Sequence, residues 1–183
     1  MEQPVSAAAT RPANAEYVIV TLVLGALVAL LVFVTRTTSR AGVRPYSLLG
    51  PILTVVGLTA AVWVLMTLAR NVSVFFGAAS VNFYKDYASS PPPEWIERPA
   101  RTFNNLMEVP TLFYALSAFI MATGAVDAAQ ITLAWIFAAT RVVHALIYIA
   151  VNRVSYRFVV HAAGCITLGV MWFRFAEQTW SAW

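Results

Sequence analysis

Apolar residues in this chain fall in long unbroken blocks, and the polar residues gather between the blocks or in sparse lines within them. Tyr17 to Thr35 and Pro51 to Ala69 carry no charge. Each comes close to the ~20 residues that a helix rising about 1.5 Å per residue needs to cross ~30 Å of hydrocarbon. Leu106 to Thr123 and Ala128 to Val151 are comparable, and Phe158 to Phe173 is a shorter run that extends through Ala176 past Arg174. Continuous stretches such as VIVTLVLGALVALLVFV meet an apolar medium on every side, which excludes the alternating strands of a membrane β-barrel. The pattern predicts an all-α integral membrane bundle of five helices.

The connections are punctuated differently. RTTSRAGVRPYSLLG reads as a short basic turn, with Pro45 and Gly50 marking where helix stops and resumes. The segment after Ala69 is longer. Its aromatic stretch FFGAASVNFYKDYA is expected as a helix extension or an interfacial segment, and Ser89 to Pro93 as a stiff non-helical lead into the next helix. The first apolar run is too long for a signal-peptide core and lacks a compact basic start, so the first helix is expected to remain in the mature chain.

Composition sharpens the class. Of 183 residues, 60% are apolar and 11% are charged, against roughly a quarter charged in a soluble domain. The net charge of +4 does not point to nucleic acid, because the basic residues sit at helix ends and loops rather than on one polar face. With five spans, Arg11, Arg70, Lys85, Arg98, Arg101, Arg153 and Arg157 share one side and Arg36, Arg40, Arg44 and Arg174 the other, which favours the first side as cytoplasmic. The single cysteine, Cys165, forms no intrachain disulfide and reads as helix filling. His144 and His161 fall on different helices, and no metal site is expected from them.

The polar residues inside apolar runs carry the chemistry. Arg98, Arg101, Asn105 and Glu108 are spaced three, four and three apart, so at about 100° per residue they share one helix face. Arg141, His144 and Tyr148 repeat the geometry on a later helix. An arginine or acid near the bilayer centre costs roughly 2.5 to 3.5 kcal/mol, so such residues need partners. Two readings follow. Glu108 pairs with Arg101 or Arg141 as a structural ion pair, or both lines of residues border a wet cavity for a polar ligand. Several guanidinium groups with one carboxylate suit a small acidic peptide that also carries an ammonium.

The string ERPARTFNNLMEVP, followed by RVVHALIY and NRVSYR, resembles the MAPEG family, the membrane-associated proteins in eicosanoid and glutathione metabolism, in its bacterial-type branch. The resemblance covers roughly residues 50 to 176 and rests on E-R-x-x-R-x-x-x-N-x-x-E and R-x-x-H-x-x-x-Y in order on successive helices. It implies a four-helix membrane domain over 46–183, with residues 1–45 forming a tail, an extra transmembrane helix and a basic turn. It also implies a homotrimer in a bacterial inner membrane, with glutathione as co-substrate between neighbouring subunits and a lipophilic second substrate drawn from the surrounding lipid.

By the same resemblance Arg101, Asn105, Glu108, His144 and Tyr148 hold the glutathione peptide. Arg70 and Arg141 also belong to the binding set, and Arg157 stands beside the thiol with Arg153 as its competitor. Arg157 and Tyr148 are the expected catalytic groups of a glutathione transferase or peroxidase. The rival is a non-catalytic lipid-binding or scaffold protein of the same family. Three departures bear on this: the extra first helix, Asn104 where some members carry an arginine, and Phe158 where the prostaglandin-forming branch has a serine.

Overall fold

The computed structural model describes residues 13–37, 43–78, 80–86 and 91–180. Arg11, Arg40, Ser89 and Ser90, named above, lie outside them. Helix α1 is Ala13–Thr37, and a 3-10 turn at Pro45–Leu48 runs directly into α2, Leu49–Phe75. A short helix α3, Val81–Asp86, precedes α4, Glu94–Thr123. Helix α5 is Ala128–Leu146, ending in a π turn at Ile147–Val151, and α6 is Val154–Trp180. Among the described residues there is no strand.

Among the described residues four helical stretches are long and apolar enough to cross a membrane: Pro45–Phe75, Glu94–Thr123, Ala128–Val151 and Val154–Trp180. The protein is an integral membrane protein. Among the described residues α1 adds a shorter apolar stretch, Leu24–Arg36. Most helices outrun their apolar cores. Helix α6 begins four residues before Phe158 and continues past Ala176 to Trp180, because hydropathy marks only the lipid-crossing part while the backbone hydrogen-bond ladder continues into polar termini. The aromatic stretch after Ala69 divides between the end of α2 and α3, and Pro91 to Pro93 are non-helical as expected.

Helix α2 packs along α4 and α5, and α6 packs along α5 and more lightly along α4. Helices α4 and α5 therefore lie diagonally across the bundle, meeting at its centre through the stacked rings of Phe113 and Phe137, 4.6 Å apart. Val55, Leu116, Leu133, Leu168 and Met171 complete the interior. Trp63, Leu112, Phe119 and Phe173 stand exposed. Lipid tails solvate such side chains as well as a protein core does, so the interior is selected by packing fit rather than by water exclusion.

The α4 to α5 turn closes with Gly124 in the left-handed region at φ 69, where Ala125 N–H donates to Ile120 O at 3.0 Å. Asp127 then caps α5 by accepting from Gln130 N–H at 2.8 Å. Its other oxygen accepts from Arg174 Nη2 at 2.6 Å and from Gln178 Nε2 at 2.7 Å. Arg174 Nη1 in turn donates to Thr35 O at 3.0 Å. One buried ion pair thus ties α1, α5 and α6 together at this end of the bundle.

Candidate functional site

Alternating helix direction gathers the sequence-predicted residues at the opposite end. The C-terminal ends of α2 and α5 meet the N-terminal ends of α4 and α6, and α4 packs against the π turn that follows α5. Arg70, Arg101, Arg141, His144, Tyr148, Arg153 and Arg157 all belong to this end.

Two different settings result. On α5, Arg141 is 1% exposed, with its Nη2 donating to His161 O on α6 at 3.2 Å and its guanidinium 5.1 Å from the Phe137 ring. It is thus held by backbone and aromatic face rather than by a carboxylate. Buried His144 lies between the His161 ring at 5.3 Å and the Tyr148 ring at 6.0 Å. The guanidinium of Arg157 lies face-on over the buried Tyr148 ring, its Cζ 3.5 Å from the centroid. Arg153 is exposed and sits over Tyr156 instead, at 5.8 Å, so Arg157 rather than Arg153 is the cation on Tyr148. Half-buried Arg70 packs over Tyr84 of α3 at 5.1 Å.

On α4 the line of polar residues turns outward. Arg101 and Glu108 are exposed, and half-buried Asn105 donates from Nδ2 to Arg101 O at 2.9 Å. Glu108 makes no ion pair with Arg101 or Arg141; among the described residues the ion pairs are Arg98 with Glu94 and Arg174 with Asp127. The structural-pair reading of Glu108 therefore does not hold within one chain. Buried side-chain atoms with no hydrogen-bond partner also gather at this end, including Arg70 Nε, Tyr84 Oη, Glu97 Oε1, Arg98 Nε, Arg141 Nε and Arg157 Nε. Buried polar groups are ordinarily satisfied, and this end holds several that the chain itself leaves unmatched, guanidinium donors as well as the acceptor Glu97 Oε1.

Sequence reasoning missed Asn152 and Glu94. Asn152 Oδ1 accepts from Arg157 Nη1 at 2.8 Å, and Asn152 Nδ2 donates to Glu94 Oε1. An asparagine just after a helical run is a recognisable left-handed stop, and Asn152 has φ 51. Nothing in the order of residues announces its partner 58 positions away.

Gly164 explains how Arg141 fits. A Cβ there would collide with the Arg141 guanidinium and come 2.7 Å from Thr140 Oγ1. Gly164→Ala is expected to unseat Arg141 from His161 O and cost about 1 to 3 kcal/mol, as overpacking does. Thermal unfolding of both proteins in one detergent measures this, and an unchanged midpoint would show that Arg141 gives way freely.

A family model described as the MAPEG family matches residues 48–176. The chain belongs to the MAPEG family. No curated protein and no solved structure matches it significantly. The MAPEG match opens at Leu48, on the threshold of α2, and closes within α6, so α1 lies outside the matched region. The MAPEG family is generally associated with glutathione and generally forms trimers.

Proposed function

We propose that this chain is a membrane glutathione transferase or peroxidase acting on lipophilic electrophiles or lipid hydroperoxides, working as a homotrimer in a bacterial inner membrane. The observation that carries the reading is the pairing of Arg157 with Tyr148 at the polar end of the bundle, beside a helix whose polar face looks out of its own chain. Arg101, Asn105 and Glu108 left against lipid would cost roughly 2.5 to 3.5 kcal/mol for each charge near mid-membrane. A neighbouring subunit and a bound peptide cover that face at lower cost. In this arrangement Glu108 receives the glutathione ammonium, the guanidinium groups of Arg70, Arg101, Arg141 and Arg153 balance its carboxylates, and Asn105 and His144 hold the peptide.

The chemistry then follows from the acidity of the thiol. A free thiol has a pKa near ~8.5 and is mostly protonated at neutral pH, and an adjacent guanidinium favours the thiolate. The thiolate sulfur attacks an electrophilic carbon, forming the S–C bond, and the displaced or developing anion takes a proton from the Tyr148 hydroxyl or from water. With a hydroperoxide the sulfur attacks the terminal oxygen and the O–O bond breaks. The lipid leaves as an alcohol, and a second glutathione returns the oxidised sulfur to the disulfide with release of water.

Calorimetric titration with glutathione tests the reading. Wild-type protein is expected to bind, and Glu108→Gln to bind about tenfold more weakly through loss of a charge-assisted hydrogen bond. Wild-type protein that takes up no glutathione would sink the reading, and equal affinity would remove Glu108 from it.

A further inference from the structure

We propose that Glu94 and Asn152 are positioning residues for Arg157, forming a side-chain link that runs from the start of α4 through the α5–α6 junction to the guanidinium. The proposal rests on the glutathione reading and adds to it the device that holds the cation.

Stacking on Tyr148 fixes the plane of the Arg157 guanidinium but leaves it free to turn within that plane. The hydrogen bond from Nη1 to Asn152 Oδ1 at 2.8 Å removes that freedom. It engages the Nη1 corner of the group, and Nε is buried without a partner in the chain, so Nη2 is the corner left to meet an anionic sulfur.

The amide of Asn152 must present oxygen, not nitrogen, to the arginine. A carboxylate on its other side enforces this, because Glu94 Oε1 accepts from Asn152 Nδ2 and a carboxylate cannot donate. Glu94 is itself held through Oε2 by Arg98 Nη2 at 3.1 Å. The backbone fixes the remaining variable: Asn152 has φ 51, and its N–H donates to Ile147 O at 2.7 Å, closing the π turn. Its side chain is thus anchored at a junction, where a shift of the α5 end would move the cation.

A purely structural asparagine would serve the left-handed backbone alone, and glycine serves that at least as well. Asn152→Gly therefore separates the two roles. In wild-type and variant trimers in detergent, three quantities are read: glutathione affinity by calorimetry, the pH at which bound glutathione ionises by ultraviolet difference absorbance, and kcat for conjugation of a soluble aryl halide. The expected result for Asn152→Gly is affinity within about twofold of wild type, kcat lowered about tenfold, and thiol ionisation shifted about one pH unit upward.

Glu94→Ala acts from another helix and should move the same two quantities in the same direction. Glu94→Gln keeps one acceptor for Asn152 but adds an amide donor, so it should lower kcat less than Glu94→Ala does. Wild-type ionisation and kcat in both Asn152→Gly and Glu94→Ala would overturn the positioning role while leaving the glutathione reading intact. Failure of the wild-type protein itself to bind glutathione would overturn both.

Discussion

Arg157→Ala is expected to leave glutathione bound within a fewfold of wild-type affinity while lowering kcat for conjugation by about 100- to 1000-fold, the range seen when one preorganised donor to a developing anion is removed. The reason is geometric. Arg157 is not paired with a carboxylate; it is presented by the Tyr148 ring at 3.5 Å and by Asn152 at 2.8 Å. Its charge is therefore not neutralised by the protein, and that is the condition for stabilising an anion on a guest. Arg157→Lys keeps a charge but not the planar fork or the ring stacking, so a loss of about tenfold is expected. Steady-state kinetics over a pH series, with calorimetry on the same samples, measures both. Full activity in Arg157→Ala would remove the residue from the chemistry. Tight glutathione binding in wild type without conjugation or peroxide reduction would support the non-catalytic rival.

The second large effect lies at the other end of the bundle. Asp127 and Arg174 are 4% and 8% exposed, at 2.6 Å from one another. Removing one partner of a buried pair leaves the other charge uncompensated, at a cost of about 3 to 5 kcal/mol. Asp127→Asn isolates that cost, since asparagine caps a helix as well as aspartate does. It is expected to lower the unfolding midpoint in detergent sharply and to loosen α1, whose Thr35 carbonyl loses a well-anchored donor. Arg174→Met should be comparably damaging. The double variant should recover much of the loss, because two neutral side chains replace a pair that had to be desolvated. An Asp127→Asn protein that melts with wild type would show that the pair contributes little.

This network also bears on α1. The helix lies outside the matched MAPEG region, yet it packs on α6 with Leu31 fully buried and its end held by Arg174. Sequence reading placed Arg174 among the charges that orient the chain in the membrane. The structure also closes it onto Asp127, a residue that hydropathy had passed over.

The membrane class, the long apolar helices and the lines of polar residues were legible in the chain alone. Hydrocarbon thickness sets helix length, and about 3.6 residues per turn sets which side chains share a face. Those are local rules, and they placed Arg101, Asn105 and Glu108 on one side of α4 and Arg141, His144 and Tyr148 on one side of α5 before any contact was known. Which line turned inward was decided only by packing: Arg141 entered the interior because Gly164 on α6 leaves room for it, while Glu108 stayed outside its own chain. The seating of Arg157 on the Tyr148 ring, the link from Glu94 to Asn152 and the closure of Arg174 on Asp127 likewise join residues from separate elements. Periodicity carries no information about such pairs, because they depend on how helices are rotated and staggered against one another, which the summed fit of many side chains determines.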